Sequence, residues 1–311
     1  MNGASSALKK KKKRRKRIRA IRRAICMAGL MVAIVAALRS ASAYLLVEDT
    51  MEHKEDEHVK AVSATAAPAA TPMTVSEPTK RASSQIYEDL KAYAKKNKSA
   101  LQIYKNRNEY PEMLLAAYLN NPEMEQFVQG YLTQDTLSQD RQLNEEERQT
   151  QFPLLLQWDQ RWGYVSYGGS IIGLSGCGPT CLSMILISLT GDPTQTPDVI
   201  AAFSETNGYY VEGSGTAWSL MTEGASRLGL YAQELSLDES VMKSQLDAGH
   251  PIICSMGAGD FTTEGHFILI YGYNENGFLV NDPNCIGRSG QAWTFDRLCG
   301  QIKNLWAYAR G

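Results

Sequence analysis

The chain has 311 residues, of which 43% are hydrophobic and 21% are charged, which is enough for one good-sized core and further segments. Thirteen of its 32 basic residues precede the first acidic residue, Glu48, so the remainder has 19 basic residues against 33 acidic ones. An acidic body of this kind argues against nucleic-acid binding by the main domain.

The first 47 residues have the pattern of a membrane-targeting segment. Residues 1–23 carry twelve Lys or Arg and no acidic residue, and they are predicted to be a cytoplasmic tail. An uncharged apolar run follows at 24–38, which predicts a transmembrane signal anchor over 24–47 or a cleaved signal peptide. A basic nucleic-acid-binding tail before a buried helix is the alternative. Both membrane interpretations place the body outside the cytoplasm, tethered to the lipid bilayer of the cell membrane or secreted.

Two segments precede the main domain. Residues 48–83 are rich in Ala, Thr, Ser, Pro, Glu and Lys and lack an apolar period, which predicts a flexible stalk. Residues 84–150 show helical spacing of apolar residues and a helix-start signal at Asn121-Pro122, and they end in a polar linker over 134–150. We expect a small helical segment that docks on the main domain; recognition of a partner is the alternative.

The main domain is predicted over residues 151–311. Helices are predicted at 177–191, 197–208, 217–229 and 238–249, and short β-rich runs at 230–237, 251–257, 266–273, 277–282 and 305–310. A turn at Asn274–Gly277 predicts a hairpin between two of these runs. Helices first and antiparallel strands later indicate an α+β fold.

The stretch GLSGCGPTCLSM contains two cysteines with different surroundings. Pro179 suits the first turn of a helix, which places Cys177 at or next to the N-cap, where exposed amides and the helix dipole favour a thiolate. Cys181 falls inside the same nearly all-apolar helix and is predicted to be a small buried core residue. A C-x₃-C zinc site would need two more ligands, which the sequence scatters singly, so no metal is expected.

A thiolate nucleophile needs a base, and the main domain has two histidines. His266 opens a predicted strand after a Gly-containing loop and can face a cleft; a surface strand-end histidine is the alternative. His250 precedes Pro251 and is predicted to be a turn histidine. Asp282 ends the partner strand of the hairpin, so it can lie near His266 and orient the imidazole, although alone it would be a turn aspartate.

An oxyanion needs a donor in addition to the Cys177 amide. Gln157 follows the apolar run at 153–156, so its side-chain amide could point into the cleft. Gln160 and Asn281 are the rival candidates. Each glutamine on its own is more often a surface residue.

With these residues the sequence resembles a known family. LLLQWDQRWG, SGCGPTCLSM and GHFILIYGYNENGFLVNDP occur in this order over residues 152–310. They are similar to the papain-superfamily cysteine peptidases related to the bacteriocin-leader-processing, double-glycine peptidases. The resemblance implies a papain-like α+β fold, with Cys177 as nucleophile, His266 as base and Asp282 as the orienting residue. Gln157 matches the family's glutamine, which in the leader-processing branch lies only a few residues before the cysteine.

Leader-processing members are joined to export transporters and act on the cytoplasmic side, whereas this domain is expected outside the cell. The resemblance therefore implies thiol chemistry rather than a particular substrate. We expect an extracytoplasmic thiol peptidase or amidase that hydrolyses a peptide or protein substrate, without a cofactor or a metal. The alternatives are a peptide- or cell-wall-binding module on the same fold, and an acyl transferase of the transpeptidase or transglutaminase type.

Overall fold

The computed structural model describes residues 76–136, 140–213 and 215–311. The predicted cytoplasmic tail, the predicted membrane segment at 24–47 and most of the predicted stalk lie outside these residues. Within the described ranges, no helix combines the length and the apolar character that crossing a membrane requires.

The end of the predicted stalk makes contacts that a free segment would not make. The Thr79 N–H donates to Asn120 Oδ1 at 3.0 Å, and Lys80 forms an exposed ion pair with Glu264 at 2.6 Å. The prediction of a flexible stalk up to residue 83 is therefore too long at this end. Composition reports how little a segment can bury, but it does not report polar partners elsewhere in the chain.

The helical segment consists of short helices around their own core. These are α1 (Ser83–Lys96), α2 (Ala100–Lys105), α3 (Glu112–Asn120) and α4 (Glu125–Gly130), with 3₁₀ turns at Arg107–Glu109, Pro122–Met124 and Tyr131–Thr136. Asn121 caps the middle 3₁₀ turn by accepting the Glu123 N–H, as the Asn-Pro signal predicts. Trp158 and Leu174 of the main domain pack into the same core as these helices. The segment therefore docks on the main domain through shared apolar side chains.

Two sequence-based predictions differ from the structure between the helical segment and the sheet. The linker predicted at 134–150 contains a short helix, α5 (Glu145–Gln149), which Asn144 caps by accepting the Glu147 N–H. The helix predicted over 217–229 is split into a 3₁₀ turn (Trp218–Met221) and α9 (Glu223–Arg227). The tighter turn lets two consecutive residues, Leu220 and Met221, both reach the core.

The main domain is built on a six-stranded antiparallel sheet. Its strands are β5 (Leu230–Glu234), β6 (Ile252–Met256), β7 (His266–Asn274), β8 (Gly277–Asn281), β9 (Ala292–Trp293) and β10 (Ile302–Arg310), in the order β5-β10-β6-β7-β8-β9. Two small hairpins stand apart from it, β1 (Ser166–Tyr167) with β2 (Ser170–Ile171) and β3 (Tyr210–Val211) with β4 (Gly215–Thr216). Strands β7 and β8 are joined by the predicted turn, with Asn274 opposite Gly277.

Helices cover both faces of this sheet. They are α6 (Ile172–Ser175), α7 (Cys177–Thr190), α8 (Pro197–Thr206) and α9 with one core, and α10 (Glu239–Asp247) and α12 (Phe295–Cys299) with the other, while α11 (Ile286–Ser289) follows β8. Neighbouring residues of β6 illustrate the arrangement, because Ile253 belongs to the first core and Ile252 to the second. A strand that is buried on both faces is mostly apolar, and in β6 all five residues are buried and only Ser255 is polar. The fold is the predicted α+β arrangement, with α7 as the central helix.

Candidate active site

Cys177 is the first residue of helix α7, and Gly176 is the N-cap of that helix. The first four N–H groups of an α-helix have no partner within the helix, and the helix dipole adds partial positive charge at this end. Both features favour a negative charge near the helix start, and the position is the one that Pro179 predicts. A Cβ on Gly178 would lie 2.8 Å from the Thr216 side chain, so the residue after Cys177 has to be small.

His266 and Asp282 meet at one end of the β7–β8 hairpin. His266 is the first residue of β7, and Asp282 directly follows β8. The register pairs Leu269 with Asn281, which brings the start of β7 beside the end of β8. Nε2 of His266 lies 2.7 Å from Oδ1 of Asp282. The proximity that the hairpin predicts is therefore present.

The Cys177 thiol acts on the same imidazole. Its sulfur raises the pKa of His266, and both side chains line the same cleft. Because Nε2 is engaged by Asp282, Nδ1 is the ring nitrogen left for Cys177. Asp282, His266 and Cys177 thus form a row, in which the imidazole contacts the carboxylate and shares the cleft with the thiol.

The pKa values of His266 and Asp282 are shifted towards their charged forms, although both side chains are buried. Burial lowers the pKa of His266, but the Asp282 carboxylate and the Cys177 sulfur together raise it by more, to about 9. Burial also raises the pKa of Asp282, but His266, Arg288 and the Asn284 N–H hold it below its usual value. The arrangement therefore keeps an imidazolium and a carboxylate in contact at neutral pH.

Arg288 is a member of this cluster that sequence reasoning missed. Its guanidinium Nη1 lies 3.0 Å from Asp282 Oδ2, and its side chain is only 3% exposed. The Asn284 N–H donates to Asp282 Oδ1 at 2.8 Å, and the Asp282 N–H donates to Ser289 Oγ at 2.8 Å. The sequence gives no signal for this contact, because Arg288 reaches Asp282 only once helix α11 has formed.

The predicted oxyanion donors lie outside the row. Gln157 is buried, and its Nε2 donates to the Gly173 carbonyl at 3.1 Å, while its backbone N–H donates to the Pro283 carbonyl at 2.7 Å. It does not line the cleft described below. The rival Gln160 donates through Nε2 to the Gln126 carbonyl at 2.9 Å. The second rival, Asn281, donates through Nδ2 to the Phe152 and Pro153 carbonyls, at 3.1 and 3.3 Å.

The remaining cysteines and the second histidine are separate from the row. Cys181 is fully buried in the core, which confirms its prediction as a core residue. Nδ1 of His250 lies 2.9 Å from Gln245 Oε1, as befits a turn histidine. All five cysteines in the described part of the chain are free thiols. Across those same residues, no group of three His, Cys, Asp or Glu side chains is arranged to hold a metal ion.

Cys177 and His266 open onto a cleft of about 390 Å³. Its other walls come from five parts of the chain and comprise Met113, Ser170, Leu174, Ser175, Tyr210, Gly213, Gly215, Thr216, Trp218, Ser255, Glu264, Gly265 and Phe267. Met113, from the helical segment, and Trp218 are both strongly exposed, at 66% and 47%. The cleft is therefore open and partly apolar, and the thiol stands in its wall.

A cysteine at the start of a buried helix and a histidine on an antiparallel sheet, both lining one cleft, fit a papain-like α+β fold. Residues 149–311, just over half of the chain, match the model of the Peptidase_C39 like family. The chain belongs to this family, which agrees with the resemblance in its motifs and points to a cysteine peptidase.

Among solved structures, the chain is similar to the peptidase domain of Streptococcus ComA, a bi-functional ABC transporter involved in a quorum-sensing pathway. The two are 20% identical, the match covers 44% of this chain and 93% of that domain, and the TM-score is 0.35. No curated protein matches the sequence.

Proposed function

We propose that the chain is a thiol peptidase or amidase that hydrolyses peptide bonds through Cys177, His266 and Asp282. One observation carries the proposal. His266 lies 2.7 Å from Asp282 and shares the wall of an open cleft with the Cys177 thiol, which lies at a helix N-terminus. A nucleophile, a base and an orienting group within reach of one another are what covalent acyl transfer needs.

In the first half of the reaction, the Cys177 thiolate attacks the carbonyl carbon of the scissile amide, and a C–S bond forms. The carbonyl oxygen becomes an oxyanion next to the Cys177 N–H, one of the unpaired amides of helix α7. The His266 imidazolium then gives its proton to the leaving amine nitrogen as the C–N bond breaks. The amine product departs, and the acyl group stays on Cys177 as a thioester.

In the second half, water replaces the amine. Its oxygen attacks the thioester carbonyl while His266 accepts one of its protons. The C–S bond breaks, the acid product leaves, and the thiolate–imidazolium pair is restored. Asp282 does not change its bonding in either half; it holds the imidazole in place and stabilises its positive charge.

Gln157 is the proposed second oxyanion donor. In the free protein its side-chain amide already donates a hydrogen bond to the Gly173 carbonyl. Its Nε2 would have to leave or share the Gly173 carbonyl to reach an oxyanion next to Cys177. Geometry in a free site often tightens only when substrate binds. The role is therefore proposed together with a side-chain movement that substrate induces.

The site of action is proposed to be outside the cytoplasm, with the chain tethered to the membrane. The support is the order of a basic run and an apolar run in residues 1–47. Protease treatment of intact cells that express the full chain tests this. Removal of the domain at 151–311 by external protease is expected, and its full protection in intact cells but not in lysed ones would contradict the proposal.

The full chain, purified in a mild detergent, should be incubated with a mixed library of synthetic peptides, and new termini should be identified by mass spectrometry. Cys177→Ala is the test variant. Cys299→Ala is the matched control, since Cys299 is also a half-buried free thiol but lies outside the cleft. Cleavage by the parent and by Cys299→Ala, and none by Cys177→Ala, is expected.

Three results would overturn the proposal. Cleavage that survives Cys177→Ala would show that another group is the nucleophile. Saturable peptide binding by the parent without turnover would indicate a binding module. Amide products in the presence of an added amine, with little free acid, would indicate an acyl transferase.

A further inference from the structure

We propose that Arg288 is a positioning residue that balances the charge of the Cys177–His266–Asp282 row and thereby allows the thiolate to form. The inference rests on the proposed function for its consequence in catalysis. It stands on one buried contact, in which Arg288 Nη1 donates to Asp282 Oδ2 at 3.0 Å. Both side chains are almost fully buried, at 3% and 0% exposure.

The charges of the cluster alternate when the thiolate is formed. Cys177 is negative, His266 positive, Asp282 negative and Arg288 positive, so the buried group as a whole is neutral. A buried charge without a counter-charge is strongly unfavourable. If the arginine were absent, His266 would have to balance Asp282 alone, and a thiolate would give the cluster a net charge of −1. The thiol would then keep its proton to a higher pH.

The same contact fixes the carboxylate. Arg288 Nη1 donates to Oδ2 of Asp282, whereas Oδ1 accepts hydrogen bonds from His266 and from the Asn284 N–H. A carboxylate held at both oxygens cannot rotate, so the imidazole keeps the orientation that faces Cys177. Asp282 also compensates for the burial of this guanidinium, because Nη1 donates to it. Within the described part of the chain, Arg288 Nη2 has no hydrogen-bonding partner.

The other titratable groups around Arg288 and Asp282 do not supply this balance. Glu123 of the helical segment uses its two carboxylate oxygens on the N–H groups of Ile286 and Gly287, at 2.7 and 2.9 Å. Cys285 and Cys181 are thiols whose pKa values are raised by burial, so they stay neutral. Arg288 is therefore the cation that balances the charge of Asp282. Glu123 binds the start of helix α11, which carries Arg288.

The test compares the full chain with Arg288→Met and Arg288→Lys. The rate of Cys177 alkylation by iodoacetamide is followed by peptide mass between pH 4 and pH 9, and kcat and KM are measured on a cleaved peptide. In Arg288→Met, the acid limb of the alkylation profile should move up by about one pH unit or more, a change of about tenfold in rate on that limb. The substitution should lower kcat and leave KM nearly unchanged. Arg288→Lys should restore most of the alkylation profile and most of kcat.

Arg161→Met is the matched control, because Arg161 is another arginine paired with carboxylates, those of Glu147 and Asp159, and it lies outside the cluster. It should lower the melting temperature without moving the profile. If Arg288→Met does not fold, Arg288→Gln makes the same test, since it removes the charge and keeps an amide donor. An alkylation profile that is unchanged in the neutral variant would overturn the inference.

The alkylation measurement keeps the two proposals apart, because it needs no substrate. A profile that moves with Arg288 in a chain that cleaves no peptide would support the charge balance and reject the peptidase. Cleavage by the parent, together with an alkylation profile that does not move with Arg288, would support the peptidase and reject the charge balance.

Discussion

The contact between His266 and Asp282 should make the stability of the protein depend on pH in a specific direction. The pKa of His266 is about 9 in the folded chain, against an ordinary value of 6.5. A group with a raised pKa stabilises the fold fully below its unfolded pKa, and this contribution is lost as the pH rises through the folded pKa. The window of loss is therefore pH 6.5 to about 9. A change of one in pKa corresponds to about 1.4 kcal/mol, so the complete loss amounts to about 3–4 kcal/mol.

The measurement should be made in the Cys177→Ala background, because an ordinary cysteine thiol titrates at about 8.5, in the same window. This change removes the smaller contribution of the sulfur to the His266 pKa and leaves the larger one of Asp282. Urea unfolding at pH 6 and pH 9 then gives the free energy of unfolding for this variant and for its His266→Gln derivative. The variant that keeps His266 should lose up to about 3 kcal/mol more between the two pH values.

His250→Gln in the same background is the control, because His250 is a partly buried histidine whose partner is the neutral Gln245. Its removal should leave the pH dependence unchanged. Other groups that titrate in this window are common to all the variants and cancel in the comparison. An equal loss of stability with and without His266 would refute the reasoning that Asp282 holds the imidazole in its charged form.

Three further predictions follow from other positions. Cys181→Ala should lower the free energy of unfolding by about 1–2 kcal/mol in urea while kcat stays at the parent value, because the side chain is fully buried in the core; a loss of turnover in a folded variant would contradict this. Gln157→Ala should lower kcat by about 10²- to 10³-fold if its amide reaches the oxyanion, and Gln160→Ala should not, so equal steady-state kinetics for the two would remove Gln157 from the mechanism. Trp218→Ala should raise KM more than it lowers kcat, because this half-exposed ring lines the cleft without touching the row; an unchanged KM would show that substrate does not reach it.

The elements that carry the row could be predicted because their signals are local. Pro179 in the first turn and the apolar residues after it define helix α7, and the turn at Asn274–Gly277 defines the β7–β8 hairpin. A hairpin brings the outer ends of its two strands together, so His266 and Asp282 could be placed at the same end of the sheet. The placement of Cys177 and His266 in one cleft needed more than local signals, because the helix and the sheet are joined only by packing. The family resemblance supplied that step.

The parts that could not be predicted depend on long-range contacts. The direction of the Gln157 amide follows from the position of the Gly173 carbonyl, which lies 16 residues further along the chain. Arg288 lies in a four-residue helix, α11, and nothing in its neighbours distinguishes it from a surface arginine. Its burial comes from Asp282 and from the turn that brings the two together. A charged residue can be assigned to the interior only when its partner is known, and the partner here is visible only in the folded chain.

The helical segment contacts the candidate site although the family match begins at residue 149. The Asn284 carbonyl accepts hydrogen bonds from Asn121 Nδ2 of this segment and from Trp158 Nε1 of the main domain. Two residues further on, Glu123 binds the first N–H groups of helix α11, which carries Arg288. The turn that follows Asp282 is thus held from the side of the helical segment, and Met113 of the same segment lines the cleft. Because the orientation of Asp282 sets that of His266, a chain reduced to the family-matched residues would keep the row but lose part of its support.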